Sequence, residues 1–226
     1  MLFFNRPQTV RPTQPSFVPK QARPQGIQCP DMLSLIGFND DAQLLSPFVS
    51  AFDAKFVNAT QGLPAAVGGG STNITAGLRL ANNLLSRMPK GLRRRIWLLS
   101  DGGGNHPEDL RGGITSEVER ARQQFTNVNC IGFGDPGQFN KELLTRISNA
   151  THNGKYFEAT TISALGATLR RAAGPRQHVN HRGEATAFVI DCSGSMVLFK
   201  MGERRRIDVV RDAMVDLIRY KQAMWS

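Results

Sequence analysis

A buried strand that ends in a cluster of small polar residues lies close to the C-terminus of the sequence. The apolar residues 187–190 are followed by Asp191, Ser193 and Ser195, and then by a long helical pattern. A short apolar run bounded by turn residues predicts a buried strand, and the apolar spacing after it predicts an amphipathic helix. Open α/β sheets place their ligand sites at the carboxyl ends of their strands. This stretch therefore predicts an α/β fold with a polar site at one edge of the sheet.

Two other stretches end in side chains of the same chemical kind. A glycine-rich loop at 68–73 carries Thr72 just before a helical pattern, and the apolar residues 96–99 are followed by Ser100 and Asp101. Carboxylates and hydroxyls are hard oxygen ligands, which suit Mg²⁺, Mn²⁺ or Ca²⁺ and not Zn²⁺ or copper. The three stretches together therefore point to one divalent-cation site.

The pattern D-x-S-x-S at 191–195, with G-S-T-N at 70–73 and L-L-S-D-G at 98–102, resembles the metal-ion-dependent adhesion site of the von Willebrand factor type A family. The resemblance covers about residues 31–226. It implies a Mg²⁺ site, with Mn²⁺ or Ca²⁺ as alternatives, through which an Asp or Glu of a partner protein is bound. The metal ligands that it implies are Asp191, Ser193, Ser195, Thr72 and Asp101.

The order of these motifs differs from the usual order in that family. The D-x-S-x-S strand normally comes first, whereas here Thr72 and Asp101 precede Asp191. The sequence therefore resembles a circularly permuted type A domain, whose central first strand and first helix have moved to the C-terminus. A linker at 174–185 would join the original ends, and its length allows closure within one chain. We expect a monomer, with a domain-swapped dimer as the alternative.

Strand and helix patterns alternate along the rest of the chain. This alternation predicts a doubly wound, mostly parallel α/β sheet with helices on both faces, and the resemblance implies six strands. We also predict a short antiparallel edge strand at 42–45, a short helix at about 47–56 and an irregular loop at 101–113. Residues 1–30 are rich in proline, which predicts an extended or disordered basic tail.

Composition limits the classes of protein to which this chain can belong. No apolar run approaches the roughly 20 residues of a membrane span, so we expect a soluble, cytoplasmic protein. The three cysteines form no C-x-x-C pair, which indicates neither a zinc site nor a disulfide framework. Much of the net charge of +10 lies in the arginine runs 93–95, 170–171 and 204–206, which we interpret as solvated surface. A nucleic-acid-binding surface is the alternative.

Side chains around the metal position are expected to contact the partner protein. Apolar residues beside a metal ion would suit such a contact, although they would also suit packing beneath the loop. The rim residues that we predict are Met196, Val197, Leu198, Phe199, Gly102, Gly103, Asn105 and His106.

Enzymatic function is not expected. The sequence contains neither the G-x-S-x-G elbow of many hydrolases nor a phosphate-binding G-x-x-x-x-G-K-[ST] loop. A metal-dependent hydrolase stays as an alternative, and would need a general base that no residue near the motifs supplies.

Overall fold

The computed structural model describes residues 31–50, 52–66, 68, 70–172 and 183–223. They form a six-stranded sheet with helices on both faces, and a separate two-stranded hairpin. The strands are β1 (Met32–Phe38), β2 (Ala42–Ser50), β3 (Arg93–Ser100), β4 (Thr126–Phe133), β5 (Tyr156–Ala159), β6 (Glu184–Asp191), β7 (Lys200–Met201) and β8 (Arg204–Arg205).

Eight α-helices connect or follow these strands within the described residues. A turn of 3-10 helix, Leu63–Ala65, follows the first of them. The helices are α1 (Ala54–Gln61), α2 (Ile74–Ser86), α3 (Pro107–Leu110), α4 (Gly113–Gln123), α5 (Lys141–Asn149), α6 (Ile162–Ala172), α7 (Ser195–Leu198) and α8 (Arg206–Ala223).

The strand order of the large sheet is β2-β1-β6-β3-β4-β5. Strand β6 is paired in parallel with β1 on one side and β3 on the other, and β2 alone runs antiparallel to its neighbour. The register places Asp191 opposite Phe38, so the end of β6 lies at the carboxyl edge of the sheet. The predicted α/β class, with a mostly parallel six-stranded sheet, is confirmed.

Strand β6 is buried along its whole length because a layer of helices covers each face of the sheet. Phe188 and Ile190 face one core, to which α1, α6 and α8 contribute. Ala187 and Val189 face the other core, which α2, α4 and α5 cover. A strand buried on both faces is expected to be apolar throughout, as residues 185–190 nearly are.

Two local predictions were wrong. The predicted helix at about 47–56 begins as strand, because β2 runs to Ser50 and α1 begins only after Asp53. Asp53 accepts a hydrogen bond from Lys55 N at 2.8 Å and so caps α1, a signal that places the helix start after it. The loop predicted at 101–113 contains the helical turn α3.

Several predictions fall on parts of the chain that are not described. The proline-rich tail at 1–30 and most of the linker at 174–185 lie outside the described residues. Among the described residues, no helix combines the length and the hydropathy that a membrane span requires.

Candidate functional site

The turn after β6 is tied to the end of the neighbouring strand β3. Asp191 is fully buried, and its Oδ1 accepts a hydrogen bond from Ser193 N at 2.9 Å. Its Oδ2 accepts a hydrogen bond of 2.6 Å from Ser100 Oγ, in the last residue of β3. The side chain that ends the central strand is therefore held from two directions.

The hydroxyls of the same turn continue this network. Ser193 Oγ and Ser195 Oγ lie 3.0 Å apart, within hydrogen-bond distance. Ser195 Oγ donates to Asp101 Oδ1 at 2.6 Å, although the two residues are 94 positions apart in the chain. Four of the five predicted metal ligands are thus linked by hydrogen bonds, the first from the backbone N–H of Ser193 and the next two between side-chain oxygen atoms.

The fifth residue, Thr72, lies beside this chain on the loop that precedes α2. Its backbone is fixed by Asn105, whose Oδ1 accepts from Thr72 N at 2.8 Å and whose N donates to Thr72 O at 3.3 Å. A Cβ added to Gly102 would lie 3.6 Å from Thr72 Oγ1, which places the hydroxyl next to the turn that follows Asp101. The structure thus brings all three predicted segments together.

Asp109 anchors the Thr72 loop and was not singled out in the sequence. Its buried carboxylate accepts from Ile74 N at 3.0 Å and Thr75 N at 2.8 Å, the first two residues of α2. Gly104 permits this approach, since a Cβ there would lie 2.4 Å from Asp109 Oδ2. The sequence does show an acidic residue near a glycine-rich turn. It does not show that this residue accepts hydrogen bonds from the start of a helix more than thirty residues earlier.

Arg206 is the other functional residue that sequence reasoning missed. We interpreted the run 204–206 as solvated surface, and for Arg206 this was wrong, because only 1% of the residue is exposed. Its Nη1 donates to Asp101 Oδ2 at 2.8 Å, and its guanidinium also contacts the side chain of Gln138. The guanidinium carbon lies 5.2 Å from the centre of the Phe199 ring. A fixed cation thus belongs to the site.

Electrostatics differ between the two carboxylates. Burial raises the pKa of Asp191 to about 6, and repulsion from Asp101 adds to the effect, while the hydrogen bonds from Ser100 and Ser193 oppose it. Asp101 is neutralised by Arg206 through a salt bridge that is almost completely buried. The negative charge of Asp191, unlike that of Asp101, is therefore not balanced by a cationic side chain among the described residues of the site.

This group of side chains fits a hard divalent cation better than a soft one. Two carboxylates and three hydroxyls supply only oxygen atoms, the ligands that Mg²⁺ and Ca²⁺ prefer. Among the described residues there is no cluster of three or more His, Cys, Asp or Glu side chains suited to a metal ion. The fit therefore rests on the hydroxyl oxygens that join the two carboxylates.

The predicted rim residues differ in exposure. Leu198 is 79% exposed and Phe199 is 52% exposed, whereas Met196 is buried in the core. Gly102, Gly103 and Val197 are partly buried. Asn105 is exposed but holds the Thr72 backbone, and His106 Nδ1 accepts from Glu108 N at 3.3 Å and caps α3.

Comparison with known protein families agrees with the fold. Residues 20–171 match the von Willebrand factor type A domain. This match covers about two thirds of the chain and stops before β6.

Similarity to solved structures is found at low sequence identity, and one of them has a TM-score above 0.5. The conserved hypothetical protein BatB from Bacteroides thetaiotaomicron has a TM-score of 0.51 at 20% identity, over 61% of this chain and 76% of that one. A von Willebrand factor type A structure from Catenulispora acidiphila has a TM-score of 0.45 at 18% identity, over 56% of this chain and 29% of that one.

A curated relative comes from a protein assembly. The chain is 34% identical over 87 residues to 26S proteasome non-ATPase regulatory subunit 4 of Drosophila melanogaster, over 38% of this chain and 21% of that protein. The chain thus spans about a fifth of the length of this relative.

Proposed function

Since this chain belongs to the von Willebrand factor type A family, we propose that it is a non-enzymatic protein-binding module that works through a divalent cation. The observation that carries the proposal is the hydrogen-bonded chain from Asp191 through Ser193 and Ser195 to Asp101. Mg²⁺ is the proposed ion, with Mn²⁺ or Ca²⁺ as alternatives. These four residues and Thr72 would hold it.

The charge balance of the site supports a role in binding an acidic partner. When bound, the ion would supply positive charge and a coordination position that a partner Asp or Glu can take. Arg206 neutralises Asp101, so the protein itself contributes the equivalent of one uncompensated carboxylate, Asp191. A site with so little negative charge leaves a divalent cation attractive to a further carboxylate.

The surface next to the site supports a protein partner. Leu198 and Phe199 are large apolar side chains exposed beside the D-x-S-x-S turn. Exposed apolar residues near a polar centre are typical of interaction surfaces. The partial match to a proteasome regulatory subunit points in the same direction. We exclude Met196 from the proposed contact surface because it is buried.

We further propose that the domain is circularly permuted and monomeric. Strand β6 comes from the C-terminal part of the chain, yet it occupies the middle of the sheet between β1 and β3 of the same chain. The family match ends at residue 171, before β6 and α8 begin. A cytoplasmic location stays part of the proposal. Light scattering tests the assembly state, and a dimer would favour exchange of β6 and α8 between chains.

Metal binding is tested by titrating Mn²⁺ into the EDTA-treated protein, followed by electron paramagnetic resonance and calorimetry. We expect one site in the wild type and a loss of affinity of at least about tenfold in Ser193→Ala, whose hydroxyl joins the two halves of the network. Ser116→Ala removes an exposed hydroxyl on α4 and serves as the control. Equal binding by all three proteins would refute the site.

The partner's chemistry is tested on the Mn²⁺-loaded protein. An aspartate-containing peptide should displace metal-bound water, seen as a fall in the water-proton relaxation rate, and the matching asparagine peptide should not. If the protein binds the metal ion but not the peptide, the metal site is supported and the proposed binding of an acidic partner is refuted.

A further inference from the structure

A cavity of about 590 Å³ lies at the amino edge of the sheet, opposite the candidate metal site. It opens between the first residues of β3, the strands β4 and β5, and the end of α6. Ligand-binding cavities commonly have volumes between about 300 and 1,000 Å³. Five of its lining residues are cationic, and none is acidic: Arg93, Arg94, Arg95, Lys155 and Arg171.

Most of this positive charge is not neutralised within the described part of the chain. Arg95 forms a salt bridge of 3.2 Å with Glu184, and Arg94 Nη2 donates to Met88 O at 3.1 Å. Arg93, Lys155 and Arg171 are exposed, and no ion pair joins them to another described residue. The cavity therefore carries an excess of positive charge that an anion can neutralise.

The sheet face that forms the cavity floor carries polar residues where a covered face would be apolar. Arg93 and Arg95 alternate with Arg94 and so lie on the same face of β3 as Trp97, which packs in the core. The register places Asn127 beside Arg95 and Asn129 beside Trp97. This polar strip, which is exposed at Arg93, offers charged and amide groups to the cavity in place of an apolar surface.

Asn129 lines the cavity and leaves a hydrogen-bond donor available to a ligand. The residue is only 5% exposed, and its Oδ1 accepts from Lys155 N at 3.1 Å. This bond orients the amide, and no hydrogen bond within the described chain uses its Nδ2 group. The lining thus combines exposed cations with an amide that a hydrogen bond orients.

Aromatic rings complete the lining. The Trp97 and Phe157 rings lie 5.5 Å apart along one wall. Phe125 is 76% exposed and stacks on His152 at 5.7 Å with 14° between the ring planes. Its backbone has a φ of 54°, in the left-handed region, at the position that directly follows the C-cap of α4.

We propose that this cavity binds a nucleotide, either free or within a single strand of nucleic acid. Arg93, Arg171 and Lys155 would hold its phosphate groups, and the Phe125 and Phe157 rings would stack on its base. Cationic side chains next to aromatic faces and side-chain amides are the combination with which proteins bind unpaired nucleotides. An acidic peptide would satisfy the cations but would make no use of the exposed outer face of the Phe125 ring, whose other face stacks on His152.

The test uses the full chain in low-salt buffer with EDTA, so that the candidate metal site does not contribute. Binding of ATP is followed by calorimetry, and binding of a fluorescein-labelled oligothymidine of about twenty nucleotides by anisotropy. The Arg93→Glu, Arg171→Glu double variant should weaken binding by at least about tenfold. The Arg146→Glu, Arg219→Glu double variant has the same net charge, changes exposed arginines on α5 and α8 that do not line the cavity, and should bind within about twofold of the wild type.

A Phe125→Ser variant separates base stacking from charge, and should weaken binding severalfold without changing its salt dependence. Saturation by one ATP would identify a free nucleotide as the ligand, and affinity that rises with oligonucleotide length would identify a nucleic acid strand. Absence of binding to both probes would overturn the proposal, as would equal losses in the two charge variants. Preference for a polyglutamate peptide over both nucleotide probes would overturn it in favour of a protein ligand.

Discussion

The two edges of the sheet carry charged side chains of opposite sign, buried at the carboxyl edge and exposed at the amino edge. At the carboxyl edge, Asp191 and Asp101 are buried, and both oxygens of each accept hydrogen bonds. At the amino edge, Arg93 and Arg171 are exposed and have no ion pair with another described residue. Strand β3 joins the two regions, because it begins with arginines and ends next to Asp101. One element therefore contributes to two regions of different chemistry, each of them a candidate site.

This difference follows from the free-energy cost of removing a charged group from water. A buried charge is costly unless partners surround it, so the carboxyl edge must be assembled from several segments before it is stable. Exposed cations stay hydrated and need no such partners. We therefore expect substitutions at the carboxyl edge to change folding stability, and substitutions at the amino edge to change ligand binding.

The largest expected effect follows from removing the cation at the carboxyl edge. Arg206→Ala leaves the Asp101 carboxylate buried without its salt bridge, and should lower the free energy of unfolding by about 3–5 kcal/mol. Urea denaturation followed by circular dichroism measures this change. Arg205→Ala is the matched control, because Arg205 is the neighbouring arginine but pairs with Asp208 at the surface. A similar loss in both variants would contradict the distinction between buried and exposed charge.

The Thr72 loop provides the second test. Asp109→Ala removes a buried carboxylate that accepts two backbone hydrogen bonds at the start of α2, and should destabilise the protein by about 2–3 kcal/mol. Asp53→Ala removes a more exposed cap at the start of α1, and should cost about 1 kcal/mol. Chemical denaturation of both variants measures the difference. Equal costs would show that burial does not strengthen the Asp109 cap.

Much of the fold was predictable because its signals are local. The apolar run at 187–190 marks a buried strand, and the polar turns after 99 and 190 identify one edge of the sheet. The start of α1 was missed because the apolar residues 47–49 suit a strand as well as a helix, and pairing with β1 decides between them. Local pattern therefore predicts element type best where one periodicity dominates.

The partners of the site residues were less predictable than the residues themselves. Asp191, Ser193, Ser195, Thr72 and Asp101 stand in recognisable motifs, and the structure brings them together. Arg206 lies in a run of three arginines that looks uniform in sequence. Only tertiary packing shows that Arg206 is buried while Arg205 is exposed. Asp109 was missed for the same reason, since its hydrogen-bond partners lie far away in the sequence.

A third prediction concerns the amino edge and depends on the proposed nucleotide site. Glu184→Gln removes the acidic partner of Arg95 beside the cavity, and should strengthen binding of the labelled oligothymidine by about fivefold, roughly 1 kcal/mol. Anisotropy titrations at low and high salt measure the effect, which should shrink as salt screens it. Unchanged or weaker binding in a folded variant would show that the charge of Arg95 does not contribute to the electrostatic attraction of the ligand.

The smallest expected effect is on folding stability at the rim of the carboxyl edge. Leu198→Ser changes a residue that is 79% exposed, and should alter the free energy of unfolding by less than about 0.5 kcal/mol. Met196→Ser, two positions earlier, removes a fully buried apolar side chain and places a hydroxyl in the core, so it should be far more damaging. Thermal and urea denaturation measure both.

Binding of the aspartate-containing peptide by Leu198→Ser decides what the exposed side chain does. If the variant keeps its stability but binds the peptide more weakly, Leu198 is a contact residue, because its apolar side chain then supports binding and not folding. A stability loss comparable to that of Met196→Ser would instead show that the loop packs onto the domain and that the carboxyl edge has no separate contact surface at this residue.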